Sequence, residues 1–352
     1  MKISIGILAY NEEKVIGDML DSLFRQSVFL PDFKAGGGEE WEIIVVPNGC
    51  SDQTAVVAEK KLEIFSKQTT NCSYKVEQVE RPGKSNAWNL FVHEFSDKNA
   101  EILILMDADI EFDDKNTLQS CLQVLKENSH ASIVVDLPRK HFEVSEKKGF
   151  REKMSLRASR VTLESNPAIS GQFYCGRTLE LRQIWMPLGL PVEDGFLYSM
   201  IVTNGFRQEP DMSKVVRAKG ASHFFEGLYR ISDLYRHELR ITIGTALNCY
   251  FTWDFLRFAT DANGPGAGEF IRSQLVKNPK WYESVLNNQI ANRGWWVLPR
   301  GMLFRRFDAL NGKPLVRKIS RLPITLIAFC LDIPVFIAAN RTIKKRQAIG
   351  FW

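Results

Sequence analysis

The sequence predicts an α/β fold: a mostly parallel sheet with flanking helices, followed by a helical C-terminal region of different character. Three observations carry this. Short apolar runs alternate with segments of helical spacing from the N-terminus to residue 107. The fourth such run, in "ILILMDADIEF" (102–112), is apolar without alternation, the composition of a strand buried on both faces. Near the other end, "LPITLIAFCLDIPVFIAA" (322–339) is almost wholly apolar and runs into the basic, aromatic "NRTIKKRQAIGFW".

The elements follow in order. "ISIGILAY" (3–10) is a first strand. In "EEKVIGDMLDSLFRQ" (12–26), Val15, Ile16, Met19, Leu20, Leu23 and Phe24 recur at helical spacing. "WEIIVVP" (41–47) is a second strand, and "DQTAVVAEKKLEIF" (52–65) a second helix with Ser51 or Asp52 as its cap. "YKVEQVE" (74–80) alternates as a third strand, "NAWNLFVHEF" (86–95) is helical, and "ILILMD" (102–107) is the fourth strand. This βαβαβαβ order implies a parallel sheet with helices on both sides. Further on, "AISGQFYC" (168–175) is strand-like, "EDGFLYSMIVTNGF" (193–206) is a helix entered through two acids, and "ISDLYRHELRITIGTALNCYF" (231–251) is a long helix. "GGG" (36–38) and "NGPGAG" (263–268) are flexible connections. The expected organisation is one α/β domain over 1–250 and a helical region over 251–352.

Composition narrows the function class. With 45% hydrophobic and 25% charged residues, disorder is not the expectation. The net charge of +5 is mild, and no tract of lysines interleaved with aromatics marks a nucleic-acid groove. The six cysteines are scattered without metal-ligand spacing, as in a reduced, cytosolic protein. "MKISIGILAY" lacks the features of a signal peptide, so the bulk of the chain is expected in the cytoplasm. The apolar run at 322–339 is shorter than the roughly 20 residues of a spanning helix and holds Pro323, Asp332 and Pro334. It is expected to lie on the inner face of the membrane, with Arg341, Lys344, Lys345 and Arg346 toward lipid headgroups. The alternative is a C-terminal helix packed on the domain.

In a sheet of this order ligands bind beyond the carboxyl ends of the strands. Those ends are Ala9–Asn11, Pro47–Asp52, Arg81–Lys84 and Asp107–Asp109. Two aspartates one residue apart repel unless a cation offsets them, and a hard divalent ion bridging to a diphosphate would do so. A solvated loop is the other reading, since Asp113 and Asp114 follow. "RPGKSNAWN" is not a phosphate-binding P-loop, because position 78 is Gln78. Lys84 is placed to reach a phosphate or to end in solvent. Glu193 and Asp194 suit either a general base or the charge of a helix N-terminus. His237 and Arg240, at i and i+3, share a helix face as a diphosphate clamp or a solvated basic edge. His223, with Glu226 nearby, is a structural histidine or a metal ligand.

Taken together and in this order, these pieces resemble glycosyltransferase family 2, of the GT-A (Rossmann-like) fold, and within it a membrane-associated bacterial-type member. The resemblance covers roughly residues 1–250. It rests on "ILAYNEEKVIGDMLDSL", "VVPNGCSDQT", "RPGKSNAWN", "MDADIEF", "ISGQFYCGRTLEL" and "VEDGFLYSMI". Two departures stand out. Pro47 and Asn48 occupy positions where the family often has two acids. In "RHELRI", His237 and Ile241 replace the first residue and the tryptophan of the Gln/Arg-x-x-Arg-Trp motif.

The resemblance implies an inverting transfer from a UDP- or GDP-type nucleotide sugar, with Mn2+ or Mg2+. Asp194, beside Glu193, would be the base. Asp109, helped by Asp107, would hold the metal. Arg240, His237 and Lys84 would face the leaving diphosphate, while Ala9, Tyr10, Asn11, Glu12, Asn48, Asp52 and Ala108 would line the donor pocket. The acceptor implied is a lipid-linked or saccharide hydroxyl in cell-surface glycan synthesis. The alternatives are a non-catalytic, membrane-docked partner subunit and a sugar-phosphate nucleotidyltransferase. "AYNEEK" lacks the glycine-rich, arginine-bearing loop the latter needs.

Overall fold

The computed structural model describes residues 1–30, 39–67, 69, 71–140, 167–226, 231–260, 266–308 and 310–346. Of the expected flexible connections, 36–38 and 263–265 lie outside these, as do 347–352 of the tail. The chain divides into two compact units. One comprises Met1–Leu188, Glu193–Gly227 and Thr260–Ser273; the other comprises Gly189–Val192, Leu228–Ala259 and Gln274–Trp352.

The first unit is built on a sheet of eight strands among the described residues. In chain order they are β1 (Lys2–Ala9), β2 (Glu40–Pro47), β3 (Cys72–Val76), β4 (Ile102–Asp107), β5 (Ile110–Phe112), β6 (Ile133–Lys140), β7 (Phe173–Arg177) and β8 (Val215–Phe225). Their spatial order is β3-β2-β1-β4-β7-β6-β8-β5. The first four strands are mutually parallel, as the βα alternation requires. Beyond β4 the sheet is mixed: β7 runs antiparallel to β4 and β6, β8 parallel to β6, and β5 antiparallel to β8.

Burial explains the composition. β1 lies in mid-sheet, and Ile3, Ile5 and Ile7 are fully buried beside Ile104 and Met106 of β4. Each such side chain contributes about 1.5–3 kcal/mol. Helix α1 (Ile16–Phe24) covers this face with Ile16, Met19, Leu20 and Leu23, and α2 (Thr54–Ser66) adds Ala58, Leu62 and Phe65. Helix α1 begins at Ile16, not Glu12, because Asn11 turns into left-handed backbone (φ 57) and Glu12 and Glu13 bond to the loop after β2. Helix α3 (Lys84–Leu90) continues through a π-turn, Phe91–Phe95, over the other face. There Phe91 presses on β1 so closely that a Cβ on Gly6 would lie 2.7 Å from its ring.

Helix α4 (Thr117–Glu127), the short α5 (Thr178–Leu181) and α6 (Glu193–Val202) complete the frame of this unit. Register aligns the strand ends: Ala9 pairs with Pro47 and Leu8 with Asp107. The ends of β1, β2 and β4 therefore finish on one edge, and the acids after β4 emerge there.

The second unit is helical. It contains α7 (Ile231–Phe251), α9 (Trp281–Ala291), α10 (Arg300–Asp308) and α11 (Leu315–Lys344); α8 (Ala267–Lys277) begins in the first unit and ends in this one. The apolar tail run, expected to be too short to span, is part of α11, a single helix of 30 residues that contains Pro323 and Pro334. Both prolines are exposed, as are Ile319 and Cys330, whose carbonyls lose their helix bonds to them. Asp332, a break in the apolar pattern, is only 4% exposed. Arg306 grips it through two bonds of 2.9 and 3.0 Å, and Arg305 reaches it at 3.4 Å and Glu238 of α7 at 3.1 Å. By length and composition α11 is able to cross a membrane.

Candidate active site

The loops after β1 and β2 interlock before they offer anything to a ligand. The Asn11 side-chain oxygen accepts the Ser51 N–H at 2.8 Å, and the Glu12 N–H donates to the Thr54 hydroxyl at 2.8 Å. Asp52 accepts the N–H groups of Glu13 (3.1 Å) and Thr54 (3.0 Å), and the Gln53 N–H donates to Glu13 at 3.0 Å. Burial works against the Asp52 charge, yet the Thr54 hydroxyl and these N–H groups hold its carboxyl below the usual range. The cap position of α2 is Gln53, with Asp52 bonding just ahead of it.

Asn48 is a tie. It is 3% exposed; its amide donates to the Ala9 carbonyl at 2.8 Å, and its oxygen accepts the Gly83 N–H at 3.0 Å. One side chain thus joins the ends of β1 and β2 to the glycine-lysine turn. Both of its polar groups are spent on backbone. Ala9 and Ala108 are each 1% exposed, whereas Tyr10, at 55%, projects into solvent and Asn11 is exposed too.

Carboxylates converge at the edge. Asp109 is exposed, whereas Asp107 is partly covered. Burial pushes the Asp107 carboxyl up to about 6; Lys84 pulls it down and Asp109 pushes it up. Glu12 is half-buried, and its carboxyl is pushed up to about 7 by burial and by repulsion from Asp109, Asp107, Asp52 and Glu226. Sequence reasoning named Glu12 without this property, which only the fold creates.

Lys84, the first residue of α3, turns its ammonium to the end of β4 while its side chain stays 34% exposed. Its ammonium lies 2.6 and 2.8 Å from the two Asp107 oxygens, 3.0 Å from Glu193 and 3.0 Å from the Gly171 carbonyl. Burial opposes its charge, but Asp107 and Glu193 more than offset that and hold it above its ordinary value. Asp194 follows Glu193 at the start of α6. Burial and the neighbouring Glu193 charge push its carboxyl up to about 6, although the Gly195 N–H donates to it at 2.7 Å. Trp88, Tyr174 and Leu197 wall this cluster around a cavity of only about 10 Å³.

Several residues here were not legible from spacing. Gly171 has φ +74, and a Cβ there would lie 3.0 Å from the Glu193 carboxylate and 3.6 Å from the Lys84 nitrogen. The Gln172 carbonyl accepts the Asp107 N–H at 2.9 Å. His223 is fully buried and sits on Asp136 at 2.8 and 3.0 Å, with its other nitrogen 3.4 Å from the Gln172 side chain. Asp136 lies where the β6–β8 register shifts between Val135 and Leu137, an irregularity that re-aims a side chain. The sequence singles out His223, but its signal for Asp136 is only the polar interruption "VVDLP". His237 and Arg240 share a face of α7, in the second unit. A larger cavity of about 490 Å³ in the first unit, bordered by His93, Trp185 and Arg272, holds none of the residues singled out above.

A Rossmann-like sheet continued into mixed strands, with an Asp-x-Asp at the end of β4 and a Glu-Asp opening α6, defines a GT-A glycosyltransferase. The family profile of "Glycosyl transferase family 2" matches residues 4–181, and the chain belongs to that family. Over 207 residues it is 25% identical to the poly(ribitol-phosphate) beta-N-acetylglucosaminyltransferase TarS of Staphylococcus aureus, strains Mu50 and MW2. That match covers 57% of this chain and 32% of the relative, so the chain spans about a third of the relative's length. Among solved structures, the mannosyltransferase PcManGT from Pyrobaculum calidifontis, in complex with GDP-Man and Mn2+, is similar in fold. It is 16% identical with a TM-score of 0.51, over 94% of this chain and 86% of that one. Glucosyl-3-phosphoglycerate synthase from Mycobacterium tuberculosis, with Mn2+, UDP and glucosyl-3-phosphoglycerate, gives a TM-score of 0.45 at 18% identity, over 70% and 80% of the two chains.

Proposed function

We propose that this family 2 glycosyltransferase moves a sugar, with inversion, from a UDP- or GDP-type nucleotide sugar to a hydroxyl of a saccharide or lipid-linked acceptor. The observation that carries the reading is that Asp107 and Asp194, from two elements far apart in sequence, border one small cavity. A carboxyl near 6 suits a general base at neutral pH. Asp194 would take the proton from the acceptor hydroxyl as that oxygen attacks the anomeric carbon. The bond to the donor diphosphate breaks on the opposite side, and the nucleoside diphosphate leaves. Glu193 stands beside the base, but its carboxylate is engaged by Lys84.

The chemistry of the donor set suits a divalent cation, although among the described residues no three His, Cys, Asp or Glu side chains are gathered as a preformed metal site. Glu12, Asp107 and Asp109 are hard oxygen donors, close enough to repel one another. Asp109, the exposed member, would hold Mn2+ or Mg2+ with Asp107 behind it. When bound, such an ion supplies positive charge to the diphosphate. The Mn2+ in the complex of the fold relative PcManGT agrees with this.

The membrane part of the reading rests on α11. At about 100° per residue, its buried positions from Thr325 to Ile343 form a stripe roughly 140° wide. Leu315, Val316, Ile319, Ile327, Leu331 and Ile337 are exposed on the remaining surface. A helix apolar all round belongs in a core or in lipid, and the outer face of this one is not covered by the protein's core. With Arg341, Lys344 and Lys345 at its end, it suits the cytoplasmic surface of a membrane carrying a lipid-linked acceptor.

The test is Asp194→Asn, with turnover and nucleotide binding measured separately. Turnover is expected to fall by about 10²–10⁴-fold while UDP or GDP affinity stays within about threefold. Unchanged turnover removes Asp194 from the reaction. No release of nucleoside diphosphate by the wild-type protein from any sugar donor, with Mn2+ present, would favour a non-catalytic partner subunit.

A further inference from the structure

We propose that Lys84 is a positioning residue, the internal counter-ion that ties Asp107 to Glu193, and not a ligand for the phosphates of the donor. The proposal deepens the transfer reading above and rests on it. The resemblance to the family put Lys84 against the leaving diphosphate; the geometry points inward.

An ammonium has three protons. Here four acceptor atoms from three residues lie within 3.0 Å: both oxygens of Asp107, Glu193 and the Gly171 carbonyl. No donor is left for a phosphate. The node is built rather than incidental, because four segments converge on it: the end of β4, the start of α3, the start of α6 and the turn before β7. The turn favours glycine, since at φ +74 a side chain is strained and a Cβ on Gly171 would lie 3.0 Å from the Glu193 carboxylate. The adjoining cavity of about 10 Å³ holds one water at most, so no hydrated ion sits on that side of the node. The counter-charge that Asp107 and Glu193 share is the Lys84 ammonium.

The arrangement divides the Asp-x-Asp pair. Asp107 is neutralised from inside and fixed in place, and Asp109 faces outward, exposed. Through Glu193 the same ammonium anchors the first turn of α6, and with it the backbone that carries Asp194.

The experiment compares wild type with Lys84→Met and with Lys84→Met/Glu193→Gln, which keeps the net charge of the node. Mn2+ affinity is read without nucleotide, from the paramagnetic resonance of the free ion. UDP and GDP affinities are read by calorimetry with Mn2+ present. Removing one positive charge beside a divalent ion is expected to tighten Mn2+ binding by about tenfold in Lys84→Met. The double variant returns it toward wild type, and nucleotide affinity in both stays within about threefold. Nucleotide binding weakened about tenfold or more, with Mn2+ affinity unchanged, would show a direct phosphate contact and overturn the proposal. If Lys84→Met does not fold, the double variant decides between these outcomes through its nucleotide affinity. A wild-type protein that binds neither UDP nor GDP with Mn2+ overturns the transfer reading instead, and the Mn2+ titration then decides Lys84 by itself.

Discussion

Asn48→Asp restores an acid where the family often has one, and the structure says it should harm the protein. The Asn48 amide donates to the Ala9 carbonyl at 2.8 Å, and its oxygen accepts from Gly83 at 3.0 Å, at 3% exposure. A carboxylate keeps the second bond and loses the first, which is worth about 1 kcal/mol. It also sets an acceptor against an acceptor in a buried place, at a further cost of about 1–3 kcal/mol. The sum, about 2–4 kcal/mol, corresponds to a melting temperature lowered by about 5–15 °C. Burial and the facing carbonyl favour the protonated form, whose O–H donates to Ala9. The folded pKa of the new carboxyl is therefore raised above its unfolded value near 4. Stability is retained below the unfolded value and lost as pH rises through the raised one. Thermal denaturation across about pH 4–8, referenced to wild type at each pH, measures this. A melting temperature within about 2 °C of wild type at pH 7.5, or a deficit that grows toward acid, would refute the reasoning. Tighter nucleotide binding in an undamaged variant would restore position 48 to the donor pocket.

Other outcomes follow from the same geometry. If Asp194 is the base, the rate of transfer should rise with pH through about 6 as its carboxyl deprotonates, which a pH profile with a fixed donor checks. Asp332→Asn removes the charge held by Arg305 and Arg306, whose guanidinium groups are partly open to solvent. A loss of about 1–3 kcal/mol, read by denaturant unfolding, is expected, and a neutral effect would mean that the arginines resolvate freely. Gly6→Ala drives a methyl into the Phe91 ring and should cost about 1–3 kcal/mol, with Phe91→Leu restoring part of it; additive losses would argue against that contact.

The parts of the molecule that sequence alone makes legible are those whose partners are near in the chain or whose burial is complete. β1, β2 and β4 are read from apolar runs because they sit in mid-sheet, covered on both faces. The Asp-x-Asp and the Glu-Asp turn are read from their position after a strand and before a helix. β6 is not, because Asp136, Pro138, Arg139 and Lys140 make it look like a loop; its partner strand β8 lies far along the chain, and the bond from Asp136 to His223 spans 87 residues. Asn48 and Lys84 are found by pattern, but the partners that hold them are not. The acceptors and donors they meet come from the ends of other strands, which no local window contains. Asp332 reads as a flaw in an apolar run for the same reason, since Arg305 and Arg306 lie 27 and 26 residues upstream.

That pairing has a mechanical consequence for α11. A purely greasy helix can slip or roll against its neighbours with little penalty, but this one carries two polar keys. Asp332 sits in the Arg305–Arg306 fork, and Asn340 accepts the Val297 N–H at 2.7 Å while donating to the Trp295 carbonyl at 3.1 Å. A slip of one residue swings each key through about 100° and strands it against hydrocarbon. The roll of the helix is thereby locked, and its outer apolar ridge keeps one fixed bearing on the helical unit that carries it.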